Sequence, residues 1–201
     1  MPPKSSNLTE VAHRIPAGSR HRRHGHRGGV LWFTGLSASG KTTLAFELEK
    51  RLFERGLQAY VLDGDNLRFG LSSDLGFAPE DRTEHIRRVG EVAALFADAG
   101  FIAISAFISP YQEDRDRARE AAMGNFHEIF LSASVDVCEA RDPKGLYAKA
   151  RRGEIADFTG VNAPYEIPEK PELVIDTGGL SVEKSLEMLA AYVEREFKLP
   201  A

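Results

Sequence analysis

The chain has 201 residues, 42% of them hydrophobic and 28% charged, and a net charge of −4. This suits one globular domain with a full core and excludes a disordered chain. Residues 1–29 hold six Lys/Arg against one acid, which leaves −9 for the remainder and argues against nucleic-acid binding as the main activity.

The chain opens on a basic tail expected to be flexible over residues 1–23, and a single domain is expected over 24–201. Ser19 to Arg27 is rich in His and Arg. Metal binding, a nucleic-acid arm and packing near a nucleotide site are all open to it, and a solvated extended segment is the favoured expectation. No apolar run approaches a membrane span, and the polar start does not resemble a secretory signal. One cysteine, Cys138, rules out an internal disulfide and suits the cytoplasm.

Val30 to Thr34 reads as a short buried strand and Thr43 to Arg55 as a helix with Leu44, Leu48 and Leu52 on one side. Between them, Gly35-Leu36-Ser37-Ala38-Ser39-Gly40-Lys41-Thr42 fits the phosphate-loop pattern G-x-x-x-x-G-K-[ST] in its required strand–turn–helix setting. The glycines let successive backbone N–H groups face one hollow at a helix N-terminus, where an anion is favoured. Lys41 is placed to reach the β- and γ-phosphates of a nucleoside triphosphate, and the Thr42 hydroxyl to ligate Mg²⁺.

Gln58 to Leu62 reads as a second strand ending at Asp63-Gly64-Asp65-Asn66. Carboxylates at the carboxyl end of such a strand can solvate a metal or take a proton from an attacking hydroxyl. Pro79 to Ala99 is a long helix with Arg82 and His85 on one face, while Arg87 and Arg88 are expected to be solvated or paired with acids. Phe101 to Ile108 is a third strand ending at Ser109, Gln112 to Met123 a charged helix, and Phe126 to Leu131 a fourth strand. A short helix is expected over Val135 to Ala140. Arg141 to Phe158, with Arg141, Lys144, Lys149, Arg151 and Arg152, suits a basic lid that closes over phosphates. Leu173 to Ile175 is the fifth strand, and Ser181 to Phe197 the closing helix. These elements make a doubly wound, mostly parallel five-stranded α/β sheet with helices on both faces.

Several further motifs follow the phosphate loop in order. They are Asp63 to Arg68 (D-G-D-N-L-R), Leu75 to Phe77 (L-G-F), Asp81 to Arg88 (D-R-x-E-x-I-R-R), Phe107 to Tyr111 (F-I-S-P-Y), Arg141 to Tyr147 (R-D-P-K-G-L-Y), Phe158 to Gly160 (F-T-G) and Pro164 to Glu166 (P-Y-E). From about His24 to Leu173 the chain resembles adenylylsulfate kinase, a P-loop kinase that phosphorylates adenosine 5′-phosphosulfate at its ribose 3′-hydroxyl, a step of sulfate assimilation.

The resemblance implies that ATP contacts Gly35 to Thr43, with Arg141 and Leu180 bordering its base. It implies Mg²⁺ on Thr42 and Asp63, Asp63 as the base, and Asp65, Asn66 and Leu67 along the acceptor ribose. Arg68 and Arg82 would clamp the phosphosulfate. Phe77 and Phe158 would sandwich the adenine, with His85, Ile108, Ser109, Lys144 and Asp157 completing the acceptor site.

Family descriptions give Ser109 a phosphoserine intermediate. Phosphoryl transfer needs mainly positioning and charge stabilisation, so direct transfer with Ser109 as a substrate contact is expected. The family usually has asparagine at His85, and the change predicts weakened or pH-sensitive acceptor binding. A homodimer and association or fusion with ATP sulfurylase are also implied, with no nucleic-acid or membrane partner.

Another small-molecule kinase is the nearest alternative, and the aromatic pair and arginine clamp argue against it. A GTPase lacks its Asn-Lys-x-Asp motif here, and a transporter ATPase its Leu-Ser-Gly-Gly-Gln loop. A regulatory module without turnover is disfavoured by the presence of Lys41, Thr42, Asp63 and Asp65 together.

Overall fold

Five strands form because their sequences are apolar on both faces, as a sheet covered on both sides requires. In the computed structural model, which describes residues 7–9 and 11–199, they are β1 (Gly29–Thr34), β2 (Ala59–Asp63), β3 (Ile102–Ala106), β4 (Phe126–Ser132) and β5 (Leu173–Asp176). They pair in the order β2-β3-β1-β4-β5, all parallel. The switch in winding direction lies at β1, so the crevice beyond its carboxyl end is where a ligand belongs.

Alternate residues of β1 feed two cores. Leu31 and Phe33 pack with Leu44 and Leu48 of α2 (Lys41–Glu54) and with Leu186 and Leu189 of α8 (Val182–Glu196). Val30 and Trp32 face the opposite side, against Ile86 and Val89 of α4 (Pro79–Asp98) and Ala118 of α5 (Gln112–Ala121). Trp32 is fully buried, stacked between Phe107 and Phe126 at centroid separations of 5.5 and 5.6 Å. Burying such a ring contributes roughly 1.5–3 kcal/mol, so this stack is a principal anchor of the α4 face.

A third cluster holds the lid. Leu36, Cys138, Tyr147, Ala150 and Phe158 pack together, drawing on the phosphate loop, α6 (Val135–Arg141), α7 (Leu146–Arg151) and the segment after it. Asp142 bridges the two helices by accepting from the backbone N–H groups of Leu146 (2.7 Å) and Ala148 (3.1 Å).

The N-terminal segment departs from expectation. The tail's first six residues and Glu10 lie outside the described residues, but Ala17–His24 is a helix, α1, rather than a solvated extended segment. It buries no residue fully and has no apolar stripe, so tertiary contacts hold it. His24 Nδ1–H donates to Gly100 O (3.1 Å), and buried His26 accepts at Nε2 from the Gln58 N–H (2.9 Å) while Nδ1–H donates to Arg27 O (2.9 Å). Gly25 closes the helix in the left-handed conformation, and the basic last turn suits its dipole. The histidines therefore dock the tail. Among the described residues, no group of three or more His, Cys, Asp or Glu could hold a metal ion.

Candidate two-nucleotide active site

The register of β1, β2 and β3 levels Phe33, Asp63 and Ala106, so the segments leaving these strands meet at one edge. The phosphate loop leaves β1 there. Gly35 has φ 151°, and a Cβ on it would lie 2.6 Å from Leu131 O and 2.8 Å from Ser39 Oγ, so only glycine fits. Gly40, at φ 95°, is the left-handed residue that opens α2. Lys41 is buried, its Nζ donating to Gly35 O (2.9 Å) and Leu36 O (2.6 Å). Burial pulls its ammonium down to about 8, with Cys138 and Asp63 opposing. The lysine rests on the loop's own carbonyls, beside the hollow where phosphates belong.

Asp63 ends β2 and is buried. Its Oδ2 accepts from Thr42 Oγ1 (2.9 Å), and its Oδ1 accepts from the N–H groups of Asp65 (3.1 Å) and Asn66 (3.3 Å), which begin α3 (Gly64–Leu67). A hydroxyl and a carboxylate thus face each other where hard oxygen ligands suit Mg²⁺, an ion that normally takes one or two protein ligands alongside phosphates and water.

A cavity of about 1110 Å³ runs from the phosphate loop to Phe77 and Phe158. That exceeds the roughly 300–1,000 Å³ of single-ligand pockets and leaves room for two nucleotides. On the β5 side it is lined by Arg141, Thr177 and Leu180. Arg141 bridges Ala38 O (3.5 Å) and Thr177 O (2.5 Å), while Thr177 Oγ1 donates to Ser39 O (2.9 Å). On the β2–β3 side it is lined by Asp65, Arg68, Phe77, Arg82, His85, Ile108, Ser109 and Lys144. Strand order therefore separates a donor half from an acceptor half, with Thr42 and Asp63 between them.

Arg68 lies over the exposed Phe77 ring (4.4 Å) and donates to Gly76 O (2.7 Å), while Arg82 Nε donates to Phe77 O (2.8 Å). Burial and the neighbouring Arg82 pull Arg68 below its ordinary value. Two cations around one space are what a doubly charged group needs. Phe158 is buried, edge-on to Tyr147 at 5.0 Å.

Ser109 is buried at φ 39°, an uncommon backbone for a residue with a side chain. Its Oγ accepts from Trp32 Nε1–H (3.0 Å) and donates to Thr34 Oγ1 (3.1 Å), which donates on to Ile108 O (2.7 Å). Arg115, almost wholly buried, holds Ser109 O (2.8 Å) and Glu166 O (2.8 Å) and pairs with buried Glu128 at 2.6 Å. Sequence reasoning assigned no role to Trp32, Thr34 or Arg115, because a charged helix gives no sign of which arginine turns inward.

The structure sets several expected site residues away from the cavity wall. Gly35, Leu36, Asn66, Leu67 and Asp157 do not line the cavity. Leu67 packs on the α4 core, Leu36 joins the lid cluster, and the Asn66 N–H is spent on Asp63. Of the basic lid residues only Arg141 and Lys144 face the cavity, for Arg151 pairs with Glu139 (2.8 Å) and Arg152 with Glu154 (2.5 Å). His85 is buried, and burial first, then Arg68 and Arg88, depress it to about 4, so it stays neutral near pH 7 rather than titrating there. Arg87 and Arg88 do pair with acids: both with Glu84, and Arg88 also with Asp74 (2.6 Å).

Known proteins resemble the chain over most of its length. The adenylyl-sulfate kinase of Staphylococcus carnosus is 55% identical over 192 residues, covering 95% of this chain and 96% of that protein. The APS kinase CysC of Mycobacterium tuberculosis, solved in complex with AMPPNP and APS, is 47% identical with a TM-score of 0.80, covering 84% of this chain and 98% of that one. A hexameric APS kinase from Thiobacillus denitrificans is 30% identical with a TM-score of 0.66, matching 97% of this chain and 39% of that one. The family model for adenylylsulphate kinase matches residues 27–176, so the chain belongs to the adenylylsulphate kinase family.

Proposed function

We infer that this chain transfers the γ-phosphoryl group of ATP to the 3′-hydroxyl of adenosine 5′-phosphosulfate, giving 3′-phosphoadenosine 5′-phosphosulfate and ADP. The observation that carries this reading is the single cavity with a phosphate loop at one end and an arginine–aromatic wall at the other.

The residues divide the work. Loop N–H groups and Lys41 hold the donor phosphates, and Arg141 with Leu180 borders the ATP base. Thr42 and Asp63 would hold Mg²⁺, which neutralises charge on the transferring group. Asp63, fixed by hydrogen bonds from Thr42, Asp65 and Asn66, orients the 3′-hydroxyl and receives its proton. Arg68, Arg82 and Lys144 attract the phosphosulfate, and Phe77 and Phe158 flank the base.

Transfer is direct. The Ser109 hydroxyl proton goes to Thr34 and one lone pair to Trp32, so the serine serves as a fixed link between β1 and the segment after β3. In-line attack by a positioned hydroxyl needs no covalent stage.

No helix among the described residues is long and apolar enough to cross a membrane. A cytoplasmic location and a homodimer complete the proposal. Phe46 and Phe53, seven apart on α2, are both exposed and offer an apolar face for self-association. An ATP sulfurylase partner would supply the acceptor, and co-sedimentation with one tests that part. The reaction itself is tested by incubating the chain with ATP, Mg²⁺ and adenosine 5′-phosphosulfate and identifying the product by mass. A 3′-phosphorylated acceptor supports the reading, and an unchanged acceptor overturns it.

A further inference from the structure

Pro164, Tyr165 and Glu166 follow the lid, and none of them lines the cavity, although Ile108, Ser109 and Pro110 beside them do. The Glu166 N–H donates to Pro110 O (2.8 Å), and the Glu166 carboxylate accepts from the Gln112 N–H (2.6 Å). That N–H opens α5, whose own N-cap residue, Tyr111, gives no side-chain bond, so a carboxylate distant in sequence caps this helix. Arg115 ties the two segments together, donating to Ser109 O and to Glu166 O at 2.8 Å each.

Tyr165 reaches the same turn by way of β1. Its hydroxyl lies 2.9 Å from Thr34 Oγ1, whose single proton is spent on Ile108 O (2.7 Å). Tyr165 is therefore the donor, and the other Thr34 lone pair takes the Ser109 hydroxyl proton (3.1 Å). The Tyr165 ring stacks on Phe130 at 6.1 Å and packs against the lid cluster that holds Phe158. Phe158 sits on a tight turn, its carbonyl accepting from the N–H groups of Val161, Asn162 and Ala163 at 3.1 Å each. The Tyr165–Glu166 segment thus leaves the Phe158 turn and is bonded to the Ser109 turn.

We propose that Tyr165 and Glu166 are positioning residues of the acceptor site: they join the Phe158 turn of the lid to the Ser109 turn, so that both form one wall of fixed shape. This rests on the reading of the cavity as an adenylylsulfate site. Ser109, at φ 39°, holds a backbone conformation that a residue with a side chain keeps only where its surroundings impose it. Trp32 and Thr34 hold its hydroxyl, and Arg115 holds its carbonyl. Two of these three holders, Thr34 and Arg115, are themselves bonded to Tyr165 and Glu166. The hydrogen bonds of the pair run to Thr34, Pro110, Gln112 and Arg115, toward the acceptor half rather than the phosphate loop. Loosening them therefore falls on acceptor binding and spares ATP binding.

Steady-state kinetics of the full chain test this. Tyr165→Phe, which keeps the ring and loses the bond to Thr34, should raise the acceptor KM about threefold to tenfold, with kcat and the ATP KM nearly unchanged. Glu166→Ala should do the same, and Glu166→Gln, which keeps an oxygen for the Gln112 N–H, should recover much of the loss. Tyr192→Phe is the control, since it removes a comparable hydroxyl bond, to His127 (2.7 Å), away from the cavity wall. It should lower the melting temperature as Tyr165→Phe does and leave both KM values unchanged. Tyr165→Phe decides the case if Glu166→Ala does not fold. An acceptor KM unchanged in Tyr165→Phe, one that rises in step with the ATP KM, or a loss confined to kcat overturns the proposal alone. Absence of turnover by the unaltered chain removes the functional reading as well.

Discussion

Thr42 Oγ1 donates to Asp63 Oδ2 across 2.9 Å, joining the last residue of the phosphate loop to the last residue of β2. This bond lies between the two halves of the cavity, where the proposed reaction has the phosphoryl group cross. Asp63→Ala should lower kcat/KM by more than about 100-fold, in line with loss of a general base or a metal ligand. Far-ultraviolet circular dichroism should be unchanged, and ATP binding measured without metal should persist.

Ser109→Ala distinguishes direct transfer from a phosphoserine route. The variant should keep kcat within about tenfold, since in direct transfer the serine lines the acceptor side and links neighbours without taking the phosphoryl group. It should also be less stable by about 1–3 kcal/mol, because buried Trp32 Nε1–H loses its acceptor. Quenched turnover followed by mass spectrometry should find no phosphate on Ser109. Complete loss of turnover, or a phosphorylated serine formed at the rate of turnover, would contradict direct transfer.

His85 sets a pH dependence of stability rather than of acceptor binding. Its folded value, about 4, lies below its ordinary 6.5, so the unfolded chain binds more protons between those values. Its contribution to stability is therefore full above pH 6.5 and is lost as pH falls toward 4, at about 1.4 kcal/mol per pKa unit. Buried Asp114 and Glu128, both raised by burial, act in the opposite sense. Urea unfolding at pH 7, 5.5 and 4.5 should thus show a steeper decline for the unaltered protein than for His85→Asn. The acceptor KM of the unaltered protein should show no His85 titration between pH 6 and 8.

Arg115 and Glu128 form a buried ion pair, and removing one partner leaves the other charge in a dry interior. Arg115→Ala should destabilise the fold by about 3–5 kcal/mol. It should also impair turnover, because Arg115 holds the Ser109 carbonyl. Thermal unfolding and kcat measured on the same preparation check both effects.

Within the lid, Lys144 and Arg151 should behave differently. Lys144 faces the cavity and pairs with Asp65, so Lys144→Ala should raise the acceptor KM several-fold with little change in stability. Arg151→Ala removes an exposed pair with Glu139 and should leave stability and both KM values nearly unchanged.

The parallel sheet was legible because its strands are apolar on both faces and its helices carry regular stripes. The phosphate loop was legible because its glycines and lysine answer to backbone geometry and charge. Helix α1 was not, since its residues are polar all round and its stability comes from His24 and His26 docking on Gly100 and Gln58. Arg115 was hidden for a related reason: one buried arginine in a charged helix breaks no periodicity.

The most direct test follows ADP release by the unaltered chain with ATP and Mg²⁺, with and without adenosine 5′-phosphosulfate. The account predicts steady ADP release that requires the acceptor, matched one for one by acceptor phosphorylated at the ribose 3′ position. ADP release independent of the acceptor, or none with both substrates present, would contradict it.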